Sequence, residues 1–562
     1  MRFLPTTREE MDRLGIRELD VLLVTGDAYV DHPSFGTALL GRWLGAHGFC
    51  VGIIAQPRWD GPEDLLRMGR PRLFAGASAG ALDSLLAHYT AFRKKRSEDA
   101  YTPGGASGAR PNRACIVYSG LLRRAFPGLP IVLGGVEASL RRAAHYDFWT
   151  DALRRSILFD AKADLLVYGM GERAALEIAR RAEAALEKKS DPGTALRGIP
   201  GTAFIGKEED LPPGAQVLDL SSYEEILADG RALMPATLAL EKQMMGEGLW
   251  AVQKHGQRQV IFAPPAEPLS TEELDRLYEL PFARAPHPSY KEPIPAMDMI
   301  RFSVTAHRGC AGGCSFCALA LHQGRRIASR SRSSIEEEVR GLTRHPQWDG
   351  SVTDVGGPSA NMWGARCHDG PAHCGRTSCL SPSICPHFQD DQEALVELMR
   401  ALRRIPGVKH VRTASGVRHD LALRSPAYLR ALIGEFTGGQ LKLAPEHSSE
   451  PVLKLMRKPD FRVFEEFLTV FEKESKAAGK EQYVIPYLMS AFPGCTDADM
   501  RSLSAWLKKR GWRPQQVQCF IPAPGTVAAA MFHGGIDPQG RSIRVAKTDA
   551  ERLRQHRILL GT

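Results

Sequence analysis

Short runs of consecutive apolar residues, each followed by a stretch with helical spacing, recur along most of the chain. In the first third they lie at residues 20–25, 51–55, 114–118, 130–135 and 164–169. Runs that are continuous rather than alternating mark strands buried on both faces. With helical patterns at 39–44 and from 173 onward, they predict a doubly wound, parallel α/β domain over residues 1–190. Its ligand crevice is expected at the strand C-termini. From 191 to 294 Pro and Gly break the pattern often, which predicts an irregular connector with a helix near 222–254. Between 295 and 535 strands are expected at 300–305, 351–356, 410–414, 440–444, 483–489 and 516–521, with helices between them, including 334–342, 392–403 and 463–477. Six such βα units suit an open barrel rather than a closed eight-stranded one. A Cys-rich insertion at 361–390 interrupts them, and 536–562 reads as a short packed or frayed tail.

Composition sharpens this only a little. The 562 residues are 43% hydrophobic and 24% charged, as in an ordinary globular protein. No apolar run is long enough to span a bilayer, and the first ten residues hold no apolar signal core. A cytoplasmic protein with no membrane partner is expected, so the eleven cysteines read as metal ligands or free thiols. The net charge of +9 is mildly basic. Clusters such as Arg93-Lys94-Lys95-Arg96 and Lys508-Lys509-Arg510 could meet phosphates, but each reads first as a solvated helix face. No interleaving with aromatics supports nucleic-acid binding.

The chemistry concentrates in Arg308-Gly309-Cys310-Ala311-Gly312-Gly313-Cys314-Ser315-Phe316-Cys317. Three thiols on a Gly-rich loop can surround one metal centre. Three is one fewer than the four that close a four-iron cluster, so one iron would stay open to a small molecule. A zinc site is the alternative, although zinc motifs usually complete a tetrahedron with a second pair of ligands. Beyond the later strands come Gly356-Gly357-Pro358, Ser415-Gly416-Val417-Arg418, Pro445-Glu446-His447, Phe492-Pro493-Gly494-Cys495-Thr496 and Phe520-Ile521-Pro522-Ala523-Pro524-Gly525-Thr526. Two glycines let backbone approach a ligand, and the guanidinium of Arg418 suits a carboxylate. Glu446 and His447 are the catalytic candidates.

A second group, Cys367, Cys374, Cys379 and Cys385, is interleaved with His368, His373 and His387. It reads as a second iron–sulfur cluster, a structural zinc site or free thiols. In the N-terminal domain Asp31 adjoins His32, with Gly36 four residues on.

The three-Cys loop, with an aromatic before its third Cys, resembles the cluster motif of radical S-adenosylmethionine (SAM) enzymes. With the Val-Asp-His-Pro-Ser-Phe-Gly segment at 30–36, Gly-Gly-Pro-x-Ala-Asn-Met at 356–362 and Cys-Pro-His at 385–387, the chain resembles the YgiQ family, whose reaction is not established. The resemblance implies an open (β/α)6 barrel and a 4Fe-4S cluster on Cys310, Cys314 and Cys317. It also implies SAM contacts from Phe316, Gly356, Gly357, Pro358, Arg418 and Ile521. The expected activity is reductive cleavage of SAM to a 5′-deoxyadenosyl radical. A one-electron donor such as flavodoxin or ferredoxin would feed it, and the substrate is unknown. Pro358 stands where relatives of this kind carry Glu. A methyl- or methylthio-transferase acting on RNA or protein, and a non-catalytic zinc protein binding nucleic acid, are the rival readings. The N-terminal domain resembles cobalamin-binding ones. The ligating pattern D-x-H-x-x-G is not matched, which argues against cobalamin.

Overall fold

A computed structural model describes residues 3–245, 248–368, 370, 374–514 and 516–561. The chain divides into two compact units, Met1–Glu267 with Leu280–Arg301, and Pro268–Glu279 with Phe302–Thr562.

The first unit is built on a nine-stranded sheet. Val51–Ala55, Val21–Thr25, Phe74–Ser78, Ile131–Gly134 and Leu165–Val167 lie side by side and parallel. All five residues of Val21–Thr25 are buried, as an unbroken apolar run requires. The sheet continues antiparallel through Thr202–Gly206, Arg258–Phe262 and Trp250–His255. It ends at Val217–Leu220, which is parallel to its neighbour. Residues 191–294, read from the sequence as an irregular connector, therefore supply four strands of this sheet. Their Gly and Pro breaks are turns between short strands, such as Gly256 (φ 60°) in the hairpin joining Trp250–His255 to Arg258–Phe262. In place of one helix near 222–254 stand Tyr223–Ala228 and Leu233–Gln243.

Two further elements differ from the sequence reading. Residues 114–118 open the helix Ala114–Ala125. Its buried residues Ala114, Cys115, Tyr118, Ser119, Leu121 and Leu122 follow helical spacing, which a five-residue window cannot separate from a strand. The strand Phe74–Ser78 has the sequence FAGAS, whose small residues give no apolar signal.

At the C-terminal end of Val21–Thr25, Arg110 is fully buried between two carboxylates. It grips Asp99 with two hydrogen bonds (3.0 and 3.1 Å), reaches Asp27 Oδ1 at 3.0 Å and donates to the Ala79 carbonyl at 2.8 Å. Burial pushes Asp27 up to about 6, against the pull of Arg110.

In the second unit a series of strands pairs in parallel, beside two short antiparallel pairs. Ser303–Thr305 pairs with Asp354–Gly356, Ser351–Val352 with His410–Val411, Gln440–Glu446 with Tyr483–Ser490, and the last with Gln516–Cys519. A single parallel bridge, Val417 to Leu443, joins the two halves of the series. The first strand is shorter than expected because Pro295 starts a helix, Pro295–Ile300. Helices Arg332–Leu342, Gln392–Arg403 and Phe461–Ala477 fall where the apolar spacing placed them. The tail is a packed helix, Asp549–Leu560, whose buried Arg552 donates to the Phe520 carbonyl and whose Gln555 donates to the Cys495 carbonyl. Among the described residues, no helix is long and apolar enough to cross a membrane.

Replacing Arg110 by Met strands two buried carboxylates. The expected loss is about 3–5 kcal/mol of unfolding free energy, read from the denaturant midpoint. Asp27 binds its proton more tightly folded than unfolded, so its contribution falls as pH rises from about 4. The variant's deficit should therefore be larger at pH 8 than at pH 5.

Candidate active site

Every predicted motif of the second unit lies at or just beyond the C-terminal end of one of its parallel strands. After Ser303–Thr305 the chain runs through the short strand His307–Arg308 into the cysteine loop. Gly309 (φ 82°) is required there, since a Cβ would sit 2.0 Å from the Arg326 carbonyl oxygen. The loop is tied down by its backbone. Cys310 donates to Gly324 O at 3.1 Å, and Ser315 N and Oγ donate to Met456 O (3.1 Å) and Leu455 O (2.7 Å). Arg457 Nη1 donates to Gly313 O at 3.2 Å.

This brings the three cysteines together. Cys310 Sγ and Cys314 Sγ lie 3.5 and 3.7 Å from the point a Cβ on Gly312 would occupy. Cys317 caps the following helix, Ala318–Gln323. Burial pushes the Cys317 thiol up to about 12, and Cys314 and Cys310 add to the push. Cys310 is raised by burial and then by Cys314, while Arg418 and Lys458 pull it down. Among the described residues, no three His, Cys, Asp or Glu donors group as the ligands of a single metal ion. Three thiols on one loop are one short of the four that close a four-iron cluster.

Arg418 is the cation nearest to them. Its Nη1 lies 3.3 Å from the same Gly312 Cβ position. Nε and Nη2 grip Asp420 at 2.9 and 2.5 Å. Burial opposes charge on both, yet the pairing holds Asp420 down at about 2 and keeps Arg418 cationic. Asn361 fixes the backbone of Arg418 from both sides, accepting from its N–H at 2.8 Å and donating to its carbonyl at 3.0 Å. Asp354 Oδ1 accepts from Ala414 N (2.8 Å) and Ser415 N (3.0 Å), and its other oxygen takes the Ser415 hydroxyl. The Gly-Gly-Pro turn is thereby fastened to the Arg418 turn. Gly357 is packed so closely on His307 that a Cβ would stand 2.6 Å from its carbonyl oxygen. Gly356 is buried, and Pro358 is partly exposed.

Glu446 ends its strand in the left-handed region (φ 68°). Burial raises its carboxyl, while Lys458 at 3.9 Å pulls it down. His447 points elsewhere. Its Nδ1 accepts from Ser448 N and Ser449 N, both at 2.9 Å, and Nε2 stands 3.4 Å from Cys495 Sγ. Burial lowers it to about 4, so it is a neutral ring holding the turn. Phe316 stacks edge-on to Phe492, which does the same to Phe520, next to the partly exposed Ile521. The sequence reading quoted Asn361 within its Gly-Gly-Pro motif without giving it a role, and missed Asp420 and Lys458. Asn361 and Asp420 stand within a few residues of the Gly-Gly-Pro and Arg418 motifs, and that proximity was the available signal.

The second cysteine group is also gathered. Cys367 is exposed, Cys374 and Cys379 are partly buried and Cys385 is buried. His373 lies outside the described residues. In the first unit His32 is fully occupied: Nδ1 accepts from Ser34 N at 3.0 Å, and Nε2 faces Arg284 Nη1 at 3.0 Å.

Residues 3–303 match the family model described as radical SAM N-terminal. A UPF0313 protein of Geobacter sulfurreducens is 51% identical, with 100% of this chain and 92% of that protein covered. One from Thermotoga neapolitana is 48% identical over 97% and 96%. Among solved structures, the radical S-adenosylmethionine methyltransferase TsrM from Kitasatospora setae, with cobalamin and a 4Fe-4S cluster bound, is similar in fold. Its TM-score is 0.52 at 14% identity, with 91% of this chain and 76% of that chain covered. The exclusion of cobalamin from the Asp31-His32 adjacency therefore loses its support, since a chain of like fold contains it.

Removing the Asn361 amide leaves the buried N–H and C=O of Arg418 without partners. Asn361→Ala is expected to cost about 1–3 kcal/mol per stranded group. Denaturant titration reads the loss, and faster amide exchange at Arg418 locates it.

Proposed function

The chain belongs to the UPF0313 (YgiQ) family of radical SAM proteins, and from that premise we propose that it is an enzyme that cleaves SAM reductively. The observation that supports this reading is the placement of three thiols on one loop, beside a buried Arg418 whose free edge faces them. Cys310, Cys314 and Cys317 would hold a 4Fe-4S cluster. When bound, that cluster supplies the single electron that splits the SAM sulfonium into methionine and a 5′-deoxyadenosyl radical.

The chain's own residues bind and orient. Arg418, held rigid by Asp420 and Asn361, offers Nη1 to the carboxylate of SAM. The Gly356-Gly357 turn presents backbone at close range, with no side chain to obstruct it. Pro358 replaces the Glu of related motifs, so the amino group of SAM is left to backbone carbonyls. Phe316 and Ile521 give the adenosyl part an apolar wall. Glu446 at its strand end and Lys458, just past the helix Glu450–Met456, form a close pair placed to position a substrate or to hold a proton.

A methyl- or methylthio-transferase is the second reading, favoured by the additional cysteines packed on the cluster loop. The zinc protein without catalysis is disfavoured by the radical SAM family to which the chain belongs.

Anaerobic reconstitution with iron and sulfide, followed by SAM and a low-potential reductant, should yield 5′-deoxyadenosine. Absence of that product from cluster-loaded protein would overturn the proposal. Cys314→Ala should lose both the product and the cluster's paramagnetic signal. Arg418→Lys keeps the charge and loses the fork, so SAM affinity should fall roughly 10- to 100-fold, the worth of a charged hydrogen bond of about 1.5–3 kcal/mol. The cluster signal should survive.

A further inference from the structure

Residues 361–390 carry four cysteines that SAM cleavage does not require. The fold brings them into one neighbourhood. Strand Arg366–Cys367 pairs antiparallel with Phe388–Gln389, setting Cys367 opposite Phe388. Phe388 N donates to Cys385 O at 3.0 Å, and Cys385 N donates to Cys379 O at 2.7 Å. Three of the four cysteines are thus linked through two backbone hydrogen bonds and one strand pair. Arg376 staples the turn bearing Cys379, donating to the carbonyls of Ser378 (3.0 Å), Ser381 (3.3 Å) and Ser383 (2.5 Å). Cys374 precedes Arg376 by two residues and so enters the same stapled turn. The four cysteines therefore share one locality.

That locality abuts the three-cysteine loop. Ser378 Oγ donates to Gly312 O at 2.6 Å, and Cys379 N donates to Ala311 O at 3.1 Å. A Cβ on Gly313 would stand 2.4 Å from Thr377 O. Arg325 Nη1, from just beyond the loop, donates to Arg376 O at 2.8 Å. Cys310 and Cys379 pack against the same apolar cluster of Ala311, Met362, Ala365, Leu380, Phe388 and Leu421. Burial is graded across the group, from exposed Cys367 to buried Cys385.

Four thiols on one insertion, with one edge at the surface and the other against the first loop, are placed to pass electrons inward, which an iron–sulfur cluster can do and redox-inert zinc cannot. We propose that Cys367, Cys374, Cys379 and Cys385 hold a second iron–sulfur cluster, closed by four protein thiolates, which relays single electrons from a low-potential protein donor to the three-cysteine centre. The destination of those electrons rests on the SAM-cleaving reading. In each transfer the donor, of flavodoxin or ferredoxin type, is oxidised by one electron. The second cluster is reduced and then reoxidised as the electron passes on. No bond of the polypeptide forms or breaks.

The test is iron, sulfide and zinc analysis with paramagnetic resonance on the full chain, reconstituted anaerobically. Wild type should hold about eight irons, two four-iron clusters. Cys379→Ser/Cys385→Ser should hold about four and keep the signal of the SAM-binding cluster, which also shows that the variant folds. Cys314→Ala should keep the complementary four. In Cys367→Ala, at the exposed edge, reduction of the first cluster by reduced flavodoxin should slow at least tenfold, while reduction by dithionite holds its rate. About four irons in wild type, all lost in Cys314→Ala, would overturn the proposal. So would one zinc per chain lost in the Cys379/Cys385 variant, or unslowed reduction by flavodoxin in Cys367→Ala. Eight irons without SAM cleavage would sink the SAM reading and sustain the second cluster.

Discussion

Three half-buried thiols crowded on one loop cannot all ionise unless positive charge is brought to them. Burial, with Cys314 and Cys310 adding to it, drives Cys317 up to about 12, and burial with Cys314 raises Cys310. In a low-dielectric loop the mutual repulsion of three thiolates exceeds what hydrogen bonds to backbone can offset. Two cations answer this, Arg418 and Lys458, and both pull the Cys310 thiol down. Iron would supply the remainder. The buried guanidinium in turn needs Asp420 to be tolerable at all, and Asn361 holds its backbone in place. The loop, the Arg418 turn and the Gly-Gly-Pro turn are thus one electrostatic assembly, and loosening any part exposes the others to an uncompensated charge.

The sequence made the reactive parts of this assembly visible and left its supports hidden. Cysteine spacing, paired glycines and an arginine after a strand are readable because each restricts chemistry or backbone to few residue types. Asn361, Asp420 and Lys458 are ordinary surface residues by type, and only the fold turns them inward. The same contrast holds for the elements. Long amphipathic helices such as Gln392–Arg403 announce themselves over several turns. The strand FAGAS does not, and the five residues 114–118 give no period long enough to tell strand from helix. The four strands within 191–294 were obscured for a related reason. They are short and separated by turns and loops containing Pro212, Pro213, Gly214 and Gly256, which break any longer apolar pattern.

His447 shows where residue type misleads. A histidine at a strand end reads as an acid–base group, yet here both ring nitrogens are committed to the turn and to Cys495. Its neighbour Glu446 is the more telling residue. A glutamate at φ 68° is strained, at a cost of about 1–3 kcal/mol. That strain persists only where the surroundings over-determine it. Here the register shift in the strand and the contact with Lys458 do so.

Ala491, at the end of the next strand, is also left-handed (φ 59°). Two adjacent strands therefore end in strained non-glycine residues at the edge that carries Arg418 and the cysteine loop. Strain spent at one edge of a sheet, together with buried ion pairs at the same edge, describes a surface built to stay still rather than to adapt. Under the proposed SAM-cleaving function, such stillness would keep a reactive intermediate from quenching on whatever it meets first. On this view the buried pairs and the bent strand ends are parts of one device. The charges fix where the cofactors sit, and the backbone fixes which atom of a substrate can come within reach.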